Sequence, residues 1–209
     1  MGFGRPRLSK LVLGAILHDI GKQAIPLEIL NKPTNLTQEE VDLFQRHPLI
    51  GTQILGKLTI EPEVLYAIRN HHERWAGHGY PDGLRSDEID IYSKIVAVAD
   101  VFDEVLSDRP DHSGIPLYHA FEMIVVGAGI EFDPNVVQAF KKCVVLYPEG
   151  SLVELNTGEV GKVVEVSRIF PTRPKVKILY DQQGTSLTES KTINLIEEQD
   201  CFISVVRFE

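Results

Sequence analysis

The sequence predicts a mainly α-helical domain over residues 1–147, followed by a small all-β, barrel-like domain over residues 148–209. Two observations support this division. Apolar residues recur at helical spacing up to about residue 145, whereas from Glu149 onward they alternate with the period of two that is typical of half-buried strands. A length of 209 residues is enough for one moderate domain and one small one.

The first half of the helical domain shows recognisable helix starts and interruptions. Its first helix is predicted in LSKLVLGAILHDI, where apolar residues lie on several faces, as in a buried helix. Thr37 and Glu40 form a capping-box signature at the start of the next helix, which Pro48 should interrupt or kink. The following helix, EPEVLYAIRNHHERW, has Pro62 in its first turn, where proline is well tolerated.

The second half of the helical domain begins with a loop over residues 76–87, which are rich in Gly, Pro and Asp. A long helix follows in IDIYSKIVAVADVFDEVLSD and carries Asp100 near its middle. Two more helices are predicted in IPLYHAFEMIVVGAG and DPNVVQAFKKCVVL, with Pro134 near the start of the second.

The β domain is predicted to contain five short strands, separated by turn sequences such as NTGE and DQQG. Strands of this length and number indicate a small barrel or sandwich. Four valines of this segment are expected to pack in its core rather than to form a binding face: Val153, Val160, Val164 and Val166.

The composition excludes several classes of protein. A net charge of −9 argues against binding of polymeric nucleic acid, although metal cations can still make one pocket attractive to a small phosphate ligand. No apolar run approaches the about 20 residues that span a bilayer, and no cleavage site follows LVLGAIL, so neither a membrane span nor a signal peptide is expected. Cys143 and Cys201 are too far apart in sequence to form a metal knuckle, and they favour a reduced, cytoplasmic location.

The most informative motif is the string HHERWAGHGYPDG, which begins at His71. Neighbouring helix positions point about 100° apart, so a single buried stripe cannot accommodate both His71 and His72. Two metal ions lying side by side can bind both. The motif HDIGK places His18 beside Asp19 in the same way, and Asp100 ends the apolar run IVAVAD.

Side chains of this kind can project inward from the facing helices of a bundle. Nitrogen and oxygen ligands without thiolate suit iron, manganese or zinc. The candidate ligands, each on or near the end of a predicted helix, are His18, Asp19, His47, His71, His72 and Asp100. Taken alone, His47 before Pro48 would more often be a helix cap, but six such residues in this order indicate a metal site. The unpaired His78, His112 and His119 are interpreted as surface or loop residues.

The candidate ligands suggest a two-metal phosphodiesterase site. Asp19 could bridge two ions, with His18 and Asp100 binding one of them and His47 and His71 the other. Two ions about 3.5–4 Å apart can activate a bridging hydroxide and stabilise the attacking and leaving oxygens of a phosphodiester. Lys22, one turn beyond the HD pair, could stabilise the leaving oxygen or the developing charge.

The combination of HDIGK, the His47-Pro48 pair, HHERWAGHGYPDG and VADVFDEVLSDRP resembles the HD-GYP family, a branch of the HD phosphohydrolases, over about residues 10–143. The resemblance implies an all-helical HD-type bundle that hydrolyses cyclic di-GMP to linear pGpG or GMP at a site of two or three metal ions, often iron or manganese. It implies that the six candidates are ligands, that Lys22 and Asp19 are catalytic, and that Tyr80 and Arg109 bind the substrate. The β segment resembles the small extension that follows some HD-GYP domains.

The resemblance also implies partners. An upstream sensory or receiver domain, a diguanylate-cyclase-type (GGDEF) partner at the GYP loop, and a homodimer are all expected possibilities. Two other functions stay open: a degenerate member that binds nucleotide or a partner protein without turnover, and an HD phosphohydrolase acting on a nucleotide mono- or triphosphate.

Two departures from the family pattern matter for affinity and activity. Asp111 and His112 stand where Tyr and a cation usually follow Arg-Pro, so weaker substrate binding that improves at lower pH is expected. HD enzymes also take a ligand from a helix upstream of the HD pair, and the residues before His18 include neither His nor Glu. We therefore expect the helical domain to be N-terminally incomplete, with weak activity or none and with an exposed apolar patch at LVLGAIL through which the chain self-associates.

Overall fold

A computed structural model describes residues 1–32, 36–108, 113–167, 169–187 and 191–207. The chain divides into two compact units, Met1–Phe140 and Lys141–Glu209. The first unit is helical and the second contains an antiparallel sheet, which confirms the predicted mainly α domain followed by a β segment. In the part of the chain that is described, no helix is both long enough and apolar enough to cross a membrane.

The helical unit contains α-helices that alternate with short turns and loops. Their bounds are α1 Arg5–Leu17, α2 Leu27–Leu30, α3 Gln38–Phe44, α4 His47–Leu55, α5 Pro62–Asn70, α6 Ile91–Leu106, α7 Leu117–Val126 and α8 Pro134–Phe140, with 3₁₀ turns at Ile20–Ala24 and Ser86–Glu88.

The predicted helix signals are found in the structure. The Thr37 side chain accepts a hydrogen bond from the Glu40 amide, and the Glu40 carboxylate accepts one from the Thr37 amide, which forms the predicted capping box of α3. Pro48 lies in the first turn of α4, so the predicted long helix is interrupted between Phe44 and His47. The last helix ends at Phe140, earlier than predicted, and the residues that follow belong to the second unit.

Helices α5 and α6 form the centre of the helical unit. Ala67 on α5 is fully buried with Tyr92 and Val96 of α6, and α1 packs on the same cluster. Gly14 allows this close approach, because a Cβ at that position would lie 2.7 Å from the Ala67 Cβ. The opposite face of α1 is apolar and exposed, as predicted for LVLGAIL: Val12 is 48% and Ile16 73% accessible.

The turn after α1 packs directly on α4 through Gly21. A Cβ at Gly21 would lie 1.9 Å from the His47 carbonyl oxygen and 2.6 Å from the Gly51 nitrogen, so no side chain fits without moving backbone. This contact brings the segment of His18 and Asp19 to the start of α4.

We expect Gly21→Ala to lower the free energy of unfolding by about 1–3 kcal/mol or more, since this is the typical cost of overpacking a well-packed site. Chemical denaturation measures the change. The matched control is Gln23→Ala, an exposed position in the same turn, which should change stability by less than about 0.5 kcal/mol. Equal stabilities of the two variants would show that the turn can move away from α4 at no cost.

The second unit contains one five-stranded antiparallel sheet with the order β4-β3-β2-β1-β5. The strands are β1 Leu152–Leu155, β2 Val160–Glu165, β3 Lys175–Tyr180, β4 Thr192–Asn194 and β5 Ile203–Arg207. Among the described residues β4 and β5 are the edges of the sheet, which is open, so the predicted closure into a barrel is not confirmed.

The core of the sheet follows the predicted alternation only in part. Val153 is fully buried, as predicted, together with Val163 and Val176. The prediction for Val164 is wrong, because this side chain is 41% exposed. The strand places Val163 inward, so its neighbour points outward, and the pairing register shifts between Val163 and Glu165.

Candidate metal centre

All six predicted ligands lie together in the helical unit. The positions come from the ends of three helices and from α6: His18 and Asp19 follow α1, His47 begins α4, His71 and His72 follow α5, and Asp100 lies on α6. They form two overlapping groups whose ligand atoms lie within 4.8 Å of one another, Asp19 with His47, His71 and His72, and His18 with His71 and Asp100.

Backbone carbonyls orient three of the four histidine rings. The Nδ1 atoms of His18, His47 and His71 lie 2.7, 2.8 and 2.9 Å from the carbonyl oxygens three residues earlier. A carbonyl only accepts, so each Nδ1 carries the hydrogen, and in a neutral ring Nε2 presents a lone pair to the centre. The hydrogen bond from Nδ1 to the carbonyl therefore fixes both the tautomer and the direction of each of these three rings.

The Nε2 atoms of the buried histidines face one another. His47 Nε2 lies 3.4 Å from His71 Nε2 and 3.2 Å from His72 Nε2. Nδ1 carries the hydrogen in both His47 and His71, so in the neutral rings their Nε2 lone pairs repel at this distance, and a cation between them converts the repulsion into coordination. The donor set therefore fits a metal ion.

Asp19 lies between the two groups. One of its carboxylate oxygens, Oδ1, lies 3.3 Å from His47 Nε2 and 3.8 Å from His71 Nε2, and the other, Oδ2, lies 3.3 Å from His18 Nε2. Among the described residues, neither His18 Nε2 nor Asp19 Oδ1, both buried, has a hydrogen-bond partner, an energetically costly condition that a bound cation would relieve.

The surroundings hold Asp19 and two of the histidines in the forms that bind metals. Burial would raise the pKa of Asp19, but His18, His47 and Lys22 outweigh burial and keep that pKa far below its usual range. Burial and then the charge of His18 lower the pKa of His71 to about 4. Burial and then His71 lower the pKa of His72 strongly. At neutral pH the carboxylate is therefore ionised and both rings are neutral.

The pKa of His18 moves in the other direction. Burial would lower it, but the carboxylates of Asp100 and Asp19 outweigh burial and raise the pKa to about 10. Burial would likewise raise the pKa of Asp100, and the neighbouring His18 lowers it instead. When no metal is bound, His18 therefore carries a proton, and its positive charge pairs with the carboxylates of Asp19 and Asp100.

Lys22 extends over the edge of the site. Its ammonium lies 2.5 Å from Asp19 Oδ2 and 5.4 Å from the centre of the Phe44 ring. The side chain is partly exposed, so its charge contacts the carboxylate and also remains accessible to solvent.

The GYP loop lies against the histidine pair. The Tyr80 ring stacks on His72 with ring centres 4.7 Å apart and an angle of 23°, and the Tyr80 amide donates to the His72 carbonyl. Burial raises the pKa of the Tyr80 hydroxyl, which stays protonated. Gly79 must be glycine here, because a Cβ would lie 2.4–2.5 Å from backbone atoms of residues 72–74.

The sequence analysis did not single out Glu73, a buried carboxylate beside the site. Glu73 is only 2% exposed, and its carboxylate accepts hydrogen bonds from the backbone amides of Asp82, Gly83 and Leu84. Its place directly after His71 and His72 was visible in the sequence, but its partners are brought to it only by the fold.

The structure describes only some of the other residues that the sequence analysis named. Arg109, Asp111 and His112 lie outside the described residues, so the roles expected for them stay predictions. His78 is about half exposed and pairs with Glu131 at 3.0 Å, as suits a loop residue.

Comparison with known proteins gives two family matches. The HD domain family matches residues 2–136, and a KOW domain family associated with the HD domain matches residues 152–208. The matches therefore cover both units of the chain.

Individual relatives agree with the family matches. A cyclic di-GMP phosphodiesterase of Pseudomonas aeruginosa is 37% identical over 191 residues, 91% of this chain and 46% of that protein. A cyclic di-GMP phosphodiesterase of Thermotoga maritima is 43% identical over 147 residues, 68% of this chain and 39% of that protein. The chain thus spans less than half the length of these relatives.

A solved structure is also similar. It is an HDG"Y"P protein from Bdellovibrio bacteriovorus, with a TM-score of 0.53 and 26% identity over 65% of this chain and 43% of that chain.

Proposed function

Because this chain belongs to the HD-GYP family of HD-domain proteins, we propose that it is a metal-dependent phosphodiesterase that hydrolyses cyclic di-GMP. The proposed products are linear pGpG, GMP or both. One observation carries the proposal: six His and Asp side chains converge in two groups that share His71, with the Asp19 carboxylate lying between the groups.

We propose two or three divalent ions at this centre, iron or manganese, held by the six converging side chains. When bound, such ions act as Lewis acids and lower the pKa of bound water so that it becomes a nucleophile at neutral pH. The buried atoms without hydrogen-bond partners, His18 Nε2 and Asp19 Oδ1, support this assignment. The two groups contain only histidine and aspartate, and such nitrogen and oxygen ligands suit iron and manganese, which also supports this assignment.

The remaining polar residues of the site have distinct proposed roles. The Lys22 ammonium, beside Asp19, stabilises the negative charge that develops on the phosphate or on its leaving oxygen. Tyr80 lies over His72 and offers both a ring face and a protonated hydroxyl to the substrate. Arg109 is proposed to bind a phosphate through two parallel hydrogen bonds from its guanidinium group.

Partners and location are proposed on the same basis. An upstream sensory or receiver domain, a diguanylate-cyclase-type partner at the GYP loop, and a homodimer fit a regulated phosphodiesterase. The exposed apolar face of α1, with Val12 and Ile16, leaves room for a further helix on this side of the bundle. Two free cysteines support a cytoplasmic location.

The proposal is tested by loading the purified chain with iron or manganese, measuring metal content, and separating the products of cyclic di-GMP by chromatography. We expect bound metal and conversion to a linear dinucleotide. Binding of cyclic di-GMP with metal present but without product would instead identify a degenerate, non-hydrolytic member. Faster hydrolysis of a nucleoside triphosphate than of cyclic di-GMP would favour the other HD phosphohydrolase activity.

A further inference from the structure

Glu73 is a buried carboxylate that belongs to neither ligand group. It follows His72 directly and is almost inaccessible to solvent. Burying an ionised carboxylate is costly unless hydrogen bonds replace its hydration. Among the described residues, the hydrogen bonds of this carboxylate all come from the backbone of one loop.

The hydrogen bonds of Glu73 fix three consecutive loop residues. Glu73 Oε1 accepts from the Asp82 amide at 2.7 Å and from the Gly83 amide at 3.1 Å, and Oε2 accepts from the Leu84 amide at 3.0 Å. Hydrogen bonds to a charged group are stronger than those between neutral groups. The loop backbone is therefore attached to the chain that carries the histidine pair.

Tyr80 lies on the same loop, two residues before the attached segment. Its ring stacks on His72 and its amide donates to the His72 carbonyl at 3.2 Å. Gly79 lets the loop backbone lie directly on residues 72–74. A shift of residues 82–84 away from Glu73 would therefore move the Tyr80 ring relative to the metal centre.

We propose that Glu73 is a positioning residue, which holds the loop Gly79–Leu84 against His72 and so keeps the Tyr80 ring in place for a cyclic dinucleotide. The part of this proposal that concerns the substrate rests on the proposed function. The Glu73 carboxylate accepts from loop amides and belongs to neither ligand group, so it is proposed to act through Tyr80.

A second attachment of the same loop provides a matched control. The Asp82 carboxylate pairs with the Arg69 guanidinium through two contacts of 2.7 Å, on the partly exposed side of the loop. Solvent screens part of the energy of this pair, and the Asn70 side chain also donates to the Asp82 carboxylate, so the loop keeps a contact at Asp82 when Arg69 is replaced. Arg69→Gln should therefore disturb the loop far less than a change at Glu73.

The test variant is Glu73→Gln, which keeps the shape of the side chain. One carboxylate oxygen becomes an NH₂ group that faces a backbone N–H, so a donor meets a donor and the loop must move. Amide hydrogen exchange of residues 79–86, followed by mass spectrometry, should become about tenfold faster or more, as expected for a lost hydrogen bond to a charged group. Metal content should stay unchanged, and KM for cyclic di-GMP should rise about tenfold while kcat changes much less.

The outcomes separate this proposal from the proposed function. Unchanged exchange in Glu73→Gln, or faster exchange with an unchanged KM, overturns the positioning role, and so does an equal response of Arg69→Gln. If the unsubstituted chain does not hydrolyse cyclic di-GMP, the proposed function fails, while the exchange measurement still decides whether Glu73 holds the loop.

A second variant keeps the test informative if Glu73→Gln fails to fold. Gly79→Ala pushes the same loop away from residues 72–74 from its other end. The same pattern is expected, with faster exchange at residues 79–86, normal metal content and a raised KM. Normal exchange and a normal KM in Gly79→Ala would show that the loop position does not matter, and the proposal would be wrong.

Discussion

Replacing Asp19 by alanine is expected to remove bound metal and to lower hydrolysis of cyclic di-GMP by more than about 10³-fold, beyond the loss of a single electrostatic contact. The reason is the place of this carboxylate. Its two oxygens face different histidines, Oδ1 toward His47 and Oδ2 toward His18, so its removal takes a ligand from both groups at once. Elemental analysis and a turnover assay of the same preparation measure the two effects.

The controls for Asp19→Ala separate metal loss from unfolding. Asp103→Ala removes an exposed carboxylate from α6 and should leave metal content and turnover unchanged. Asp19→Asn keeps the side-chain volume but not the charge, and it should lose metal as well if charge and bridging are what matter. Full metal stoichiometry in Asp19→Ala would show that this residue does not bridge two ions.

The sequence could predict that the candidate ligands lie close together, because its motifs by themselves restrict the directions of these side chains. Adjacent residues at a helix end, such as His18 with Asp19 and His71 with His72, point in different directions, which suggested more than one ion. The structure places all six candidates together. Helix boundaries were also predictable where capping chemistry is local, as at Thr37 and Glu40.

Other features depend on contacts that are distant in sequence and could not be predicted. The burial of Glu73 depends on amides nine to eleven positions away, and a glutamate after a helix usually faces solvent. The outward direction of Val164 depends on which face of β2 packs on the core, and the openness of the sheet depends on which strands become its edges. Alternation along one strand carries neither kind of information.

The electrostatics of the centre were likewise hidden from the sequence. In an unfolded chain His18 and His71 have similar environments and similar pKa values. In the folded protein, carboxylates raise the pKa of His18 to about 10, whereas burial lowers that of His71 to about 4. Burial and the positions of Asp100 and Asp19 together decide which ring keeps its proton.

Replacing Lys22 by alanine is expected to lower kcat for cyclic di-GMP by about 10²–10³-fold while metal content stays near normal. The ammonium contacts Asp19, is partly exposed and is not itself a metal donor, so it can also interact with a phosphate bound beside Asp19. A positive charge that meets the phosphate mainly in the transition state affects kcat more than KM. Stopped assays over a range of substrate concentrations, with metal analysis of each preparation, measure this division.

Two control variants test whether the effect of Lys22→Ala depends on the position of the lysine and on its positive charge. Lys32→Ala removes an ammonium that pairs with Glu40 instead of Asp19, and it should leave kcat unchanged. Lys22→Arg keeps a positive charge at the position and should recover part of the lost rate, because the effect is electrostatic rather than structural. An unchanged kcat in Lys22→Ala would exclude a role in turnover, and a loss of metal together with activity would show that Lys22 acts by stabilising Asp19 in the centre.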